Sequence, residues 1–209
     1  QGAHRQEANG RQNAPLKCRQ IAPWRGIRSG CRASIAAIET GKTAMTSTAN
    51  PSVVLHYIFD PLCDWSYNTA PLVKAARTVP GVAVQWHAGG MLTGQHTRVI
   101  NEQFREYVLP HDKRIEEMTG QPFGEAYTDG LLRAVGSVLD SEPPTTALLA
   151  AEQLAGLGLE MLGAEQKAYY VDGLLISDRE VLVKIAADLG LPAEQFEAAY
   201  MAMQGQPTQ

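Results

Sequence analysis

Val53-Val54-Leu55-His56-Tyr57-Ile58-Phe59-Asp60-Pro61-Leu62-Cys63-Asp64-Trp65-Ser66-Tyr67 decides how the rest of the chain is read. The run Val53 to Phe59 is rich in β-branched and aromatic residues and too short for a good core helix, so it reads as a buried central strand. Pro61 pushes Asp60 into an extended conformation, and the strand leaves its sheet there. Cys63 then falls where the next helix begins. A helix start offers unpaired N–H groups and a partial positive charge, and both favour a thiolate. The Asp64 carboxylate beside it works in the opposite direction. His56, inside the strand, is expected to be a core histidine with a backbone partner.

The helix after Cys63 carries an apolar face through Leu72, Val73, Ala76 and Val79, with Pro71 inside the pattern as an expected kink. A second strand reads at Val82-Ala83-Val84-Gln85-Trp86-His87. Strand, cysteine loop, kinked helix and second strand form the opening of a thioredoxin-like fold.

Asp60-Pro61-Leu62-Cys63-Asp64-Trp65-Ser66-Tyr67 resembles the Asp-Pro-Leu-Cys-x-Trp-Cys-Tyr signature of DsbA-like disulfide oxidoreductases of the predicted cytosolic protein-disulfide isomerase type. Gly89-Gly90-Met91-Leu92-Thr93-Gly94 and Asp140-Ser141-Glu142-Pro143-Pro144-Thr145-Thr146-Ala147 are similar to that family as well. The likeness runs from about Val53 to about Tyr200, specific at the cysteine loop and diffuse elsewhere. It implies an α/β thioredoxin-like fold with an inserted all-helical domain. It implies thiol or disulfide substrates, with glutathione as a co-substrate and no other cofactor. It places Cys63 and Ser66 at the catalytic positions and Asp64, Trp65, Gly90 and Met91 at the substrate. Trp65 is expected to lie over the thiol as a lid. One departure matters: Ser66 stands where the family has its second cysteine. A serine cannot resolve a mixed disulfide, although its hydroxyl can hydrogen-bond the Cys63 sulfur. The resemblance therefore implies a monothiol enzyme released by an external thiol.

Two other readings stay open. The related kappa class of glutathione-dependent transferases and isomerases shares the strand–loop–helix start, but has Ser where this chain has Cys63. A degenerate, non-enzymatic relative is the third reading, and whether the chain is an enzyme at all is left open at this point.

Charge is divided unevenly. Residues 1–44 carry 8 Lys+Arg against 2 Asp+Glu, and residues 45–209 carry 10 against 20. The acidic part is a poor nucleic-acid partner. No apolar run approaches the ~20 residues of a membrane span. Three cysteines are few for a disulfide-stapled secreted fold. With no signal-peptide core, this points to the cytoplasm. Cys18 and Cys31 read as incidental thiols, without His or Asp at metal-ligand spacing, so no metal is expected.

Residues 1–44 read as a disordered or non-native leader ahead of Met45, with an Arg-rich transit peptide as the competing reading. Residues 45–95 read as the N-terminal half of the thioredoxin-like domain. Residues 96–203 read as the inserted helical domain. Residues 204–209 read as the start of a C-terminal half of that domain, which the chain is expected to lack. A homodimer that lends the missing strands is one arrangement consistent with this. Helices are expected over Asn101–Met118 with a kink or break at Pro110, over Phe123–Leu139, over Thr145–Leu157 and over Glu160–Val171. Two more are expected from Ser177 to Leu189 and over Ala193–Met203. Ser141 reads as an N-cap, Ser177 with Glu180 as a capping box, and Gly190 as a helix-terminating glycine. His96 and His111 are assigned no chemistry.

Overall fold

The computed structural model describes residues 52–205. The expectations for residues 1–44, Cys18, Cys31, Met45 and the last four residues lie outside the described residues.

Strand β1 (Val53–Phe59), helix α1 (Asp64–Ala76) and strand β2 (Val82–Ala88) form a parallel βαβ unit, with Val53 opposite Val82 and Phe59 opposite Ala88. The run's β-branched and aromatic residues make the strand. The Asp-Pro pair ends it, because Asp suits the first position of a β-turn and Pro the second. That turn closes through the Cys63 N–H, which donates to the Asp60 carbonyl at 3.1 Å.

β1 is less buried than its composition suggests. Tyr57 and Phe59 point into the core, where they stack at 5.3 Å between centroids. Val53, Val54, Leu55 and Ile58 are exposed, Ile58 at 73%. Among the described residues β1 pairs only with β2, so one edge and one face are uncovered. His56 lies on that open face. It is not a core histidine: its Nδ1 sits 3.0 Å from His87 Nε2, and the two rings stack across the strands. Leu72 and Val79 are likewise exposed: α1 contains Leu72 but buries only Val73 of that set, and it stops at Ala76, short of Val79.

Pro71 stands inside α1. It has no N–H for the carbonyl four residues back, Tyr67. Gln121 Nε2 supplies the missing donor to the Tyr67 carbonyl at 3.0 Å, and the Tyr67 hydroxyl donates to the Pro122 carbonyl at 2.8 Å. The proline thus opens an acceptor that ties α1 to a distant loop.

Beyond β2, a two-residue strand β3 (Arg98–Val99) leads into helix α2 (Glu102–Thr119). Asn101 caps α2 by accepting the Phe104 N–H at 2.8 Å, and Pro110 stays within the one helix. Phe123–Leu139 is not a helix. It is a π-helical turn (Ala126–Gly130), a 3-10 turn (Leu131–Arg133) and a short strand β4 (Val138–Leu139) antiparallel to β3. Gly136 takes φ 97° there, a conformation that an L side chain resists.

Helices α3 (Glu142–Ala155), α4 (Gly158–Tyr170), α5 (Arg179–Asp188) and α6 (Ala193–Met203) then pack on one another around Ala147, Leu148, Ala151, Met161, Leu182 and Phe196. Gly190 follows α5 at φ 85°, as expected of a terminating glycine. An aromatic cluster of Tyr67, Phe123, Tyr127, Tyr169 and Tyr170 joins α1 to this helical layer, with Tyr67 and Tyr170 stacked at 4.7 Å.

Candidate active site around Cys63

Cys63 occupies the N-cap of α1, with extended dihedrals (φ −92°, ψ 118°), and its carbonyl accepts the Tyr67 N–H at 3.0 Å. It is a free thiol, partly buried. Its Sγ lies 4.0 Å from Asp64 Oδ1, which also accepts the Trp65 N–H at 2.7 Å. Ser66 is buried one turn into the helix, where its Oγ accepts the Asp60 N–H at 3.2 Å.

The strand end is held by a residue read from the sequence only as a strand exit. Asp60 is buried, and its carboxylate accepts three hydrogen bonds. Oδ1 takes the Leu62 N–H (2.9 Å) and the Ser141 hydroxyl (2.8 Å), while Oδ2 takes the Met91 N–H (2.7 Å). One side chain therefore fixes the cysteine turn, the loop after β2 and the start of α3. Gly90 makes the loop's share possible, since its φ of 61° turns the Met91 amide toward Asp60. Ser141 stands at the N-cap position of α3, as expected, but makes no side-chain capping bond: it has helical dihedrals and spends its hydroxyl on Asp60, and Asp140 Oδ1 accepts the Glu142 N–H instead. Ser177 departs from its expected capping box in the same way. Its Oγ accepts the Asp140 N–H at 2.9 Å, and Asp178 is the N-cap of α5.

A cavity of about 1030 Å³ opens beside the sulfur. Cys63, Asp64, Trp65 and Met91 all line it, so four of the six residues singled out from the sequence share one space. Trp65 is half exposed at this wall. Gly90 and Ser66 are not among its lining residues. The far side was not foreseen: Gln95, His96, Arg98, Tyr107, His111, Asp112 and Tyr127 line the same cavity. His96 and His111 thus stand in the site's wall.

Asp112 is the most unusual of these groups. It is 1% exposed, and its Oδ2 accepts the Tyr127 hydroxyl at 3.0 Å. Burial pushes its carboxyl up to about 7; the Tyr127 hydrogen bond opposes that shift and the Asp64 charge adds to it. Burial also raises Tyr127 and Tyr169, both of which therefore stay protonated donors. A sequence signal for Asp112 exists. It sits four residues after Val108 and three before Ile115, on the apolar stripe of α2, where a carboxylate has no ordinary reason to be.

Among the described residues no group of three or more His, Cys, Asp or Glu is placed to hold a metal ion. No helix among them is long and apolar enough to cross a membrane.

Solved structures resemble this chain closely. The cytosolic disulfide reductase DsbM from Pseudomonas aeruginosa, described with GSH, is 48% identical over 74% of this chain and 73% of that one, with a TM-score of 0.69. A second DsbM structure matches at 50% identity over 74% and 72%, also with a TM-score of 0.69. A Nitrosomonas europaea protein assigned as a protein disulfide isomerase matches at 27% identity over 70% and 69%, with a TM-score of 0.62. No protein-family model and no curated protein sequence matches the chain.

Proposed function

The chain belongs to the DsbA-like family of thioredoxin-fold thiol–disulfide oxidoreductases, and we propose that it works there through one thiol, Cys63, by forming a mixed disulfide with glutathione or a protein thiol. The observation that carries this reading is a partly buried free thiol at a helix N-cap, opening on a large cavity, with a serine at the resolving position. The Cys63 thiolate attacks one sulfur of a disulfide, a new S–S bond forms, and the other sulfur leaves as a thiolate that takes up a proton. Ser66 cannot complete the exchange, so an external thiol attacks the substrate sulfur and frees Cys63.

Glutathione suits the cavity. Arg98 and the His96 and His111 rings supply donors for carboxylates, Gln95 and Asn101 match peptide groups, and Trp65 and Met91 offer apolar contact near the sulfur. The GSH described with the Pseudomonas relative supports the same choice, and that relative's cytosolic description supports a cytoplasmic location.

Oxidised glutathione should add once to a protein whose Cys18 and Cys31 have been changed to Ser. Peptide mass mapping should place the adduct on Cys63, and reduced glutathione should remove it. A folded protein that stays unmodified at Cys63 sinks the reading.

Ser66→Cys restores an attacking group in the same molecule. A positioned intramolecular thiol competes with external thiol at an effective concentration far above millimolar. Insulin reduction should therefore rise by roughly tenfold or more. No gain in a folded variant would mean that the rest of the site cannot turn over as a dithiol.

A further inference from the structure

Thiol–disulfide exchange moves a proton twice. The leaving sulfur departs as a thiolate and must be protonated, and the thiol that later releases Cys63 must be deprotonated. Ser66, tied to the Asp60 amide, is a poor candidate for either step, and Asp64 Oδ1 is already committed to the Trp65 N–H. One other carboxyl lines the cavity.

We propose that Asp112 is the proton relay of this exchange. It gives its proton to the leaving thiolate when the Cys63 mixed disulfide forms, and takes one back from the incoming thiol when that disulfide is released. The proposal rests on the single-thiol reading of Cys63. The steps balance. Cys63-S⁻ attacks RS–SR′, forming Cys63–S–S–R and breaking S–SR′, and R′S⁻ takes the Asp112 proton. Then R″SH gives its proton to the Asp112 carboxylate, and R″S⁻ attacks the R sulfur. RS–SR″ is formed and the Cys63 thiolate leaves. The net reaction is RS–SR′ + R″SH → RS–SR″ + R′SH, with Asp112 returned to its acid form.

The geometry supplies what such a relay needs. Asp112 sits on α2, buried, yet in the wall of the cavity that holds the sulfur. The groups that face it are Tyr127 from the turn after α2, Tyr169 and Tyr170 from α4, Asp64 from the head of α1 and His111 on its own helix. No Lys or Arg is among them, so neither form is locked by an ion pair. Tyr127 donates to Oδ2 and supports the ionised form, and burial supports the neutral one. The carboxyl therefore exchanges its proton near neutral pH, where a general acid or base is most effective.

The test compares two disulfides on Asp112→Asn, in the full chain with Cys18 and Cys31 replaced by Ser. An activated aromatic disulfide, 5,5′-dithiobis(2-nitrobenzoate), releases a thiolate that needs no proton at neutral pH. Hydroxyethyl disulfide releases an alkyl thiolate that does. Asp112→Asn should slow mixed-disulfide formation with hydroxyethyl disulfide by roughly a hundredfold, and change the aromatic reaction by no more than about twofold. In the wild-type chain the ratio of alkyl to aromatic rates, which cancels the Cys63 ionisation common to both, should fall as pH rises through about 7. Tyr127→Phe removes a donor to the carboxylate, so the midpoint of that fall should move to higher pH. This second variant decides the question if Asp112→Asn does not fold. Equal slowing of both disulfides, or of neither, overturns the relay, as does a midpoint unmoved in Tyr127→Phe. A wild-type Cys63 that reacts with neither disulfide overturns the single-thiol reading, and the relay with it.

Discussion

Cys63→Ser abolishes disulfide exchange and leaves the fold at least as stable. The exchange rate should fall by roughly a thousandfold or more, because a hydroxyl is essentially un-ionised at neutral pH and forms no S–S bond. The stability change has the opposite sign. Cys63 occupies the N-cap of α1 without a side-chain hydrogen bond to the first turn. Serine is among the best residues there, since its oxygen accepts an N–H of that turn, and a good cap contributes about 1 kcal/mol. The thermal midpoint should hold or rise by a few degrees while activity vanishes. Hydroxyethyl-disulfide turnover and a thermal melt on one preparation check both halves. Residual turnover above a tenth of wild type would mean that another group carries the chemistry. A large drop in the melting midpoint would mean that the sulfur packs as a core atom.

The βαβ unit was legible because its signals are local. An apolar run, an Asp-Pro turn and a second apolar run need no distant partner to be read, and β1, α1 and β2 fall where those signals lie. The last helix, Ala193–Met203, follows from its own composition behind Leu191-Pro192. The misread elements are those whose partners are far away. Ser141 and Ser177 each look like helix caps, but their hydroxyls are recruited by Asp60, 81 residues away, and by Asp140, 37 residues away. A capping rule sees the helix start and not the competing acceptor. Phe123–Leu139 has helix-forming composition, yet three glycines and a two-residue pairing with Arg98–Val99 override it, and strands that short carry no periodicity. The burial of β1 failed for a related reason. Composition reports what a strand can bury, and the surrounding chain decides what it does bury. The cysteine end of the site was in the motif. The opposite wall, with Asp112 and Tyr127, comes from α2 and the turn after it, and their meeting with Cys63 is tertiary. The carboxylate on the apolar stripe of α2 was the available clue.

Asp60→Ala should be the most destabilising single change at the site. The carboxylate joins three segments: the cysteine turn through Leu62, the Gly89–Met91 loop through the Met91 amide, and the start of α3 through the Ser141 hydroxyl. A hydrogen bond to a charged group is worth about 1.5–3 kcal/mol, and removing the acceptor leaves buried donors unpaired. Full addition would overstate the loss, because the three bonds share one charge and the alanine no longer has to bury a carboxylate. About 3 kcal/mol is the expected cost, which at roughly 2–4 °C per kcal/mol lowers the melting midpoint by about 6–12 °C. Asp60→Asn should cost about half as much. Its carbonyl oxygen can still serve Leu62 and Ser141, but its NH₂ then faces the Met91 N–H, donor against donor. Ser141→Ala removes one of the three bonds, and the double variant Asp60→Ala/Ser141→Ala should cost less than the two singles together, because they break one shared contact. Denaturant unfolding of the four proteins provides the comparison. Strict additivity, or an Asp60→Ala cost under about 1 kcal/mol, would mean that the carboxylate is incidental to the loop. A cost near 3 kcal/mol with the predicted coupling would make Asp60 the residue that sets where Cys63 stands. Cysteine alkylation in the same variants should then speed up as its turn loosens from the Met91 loop.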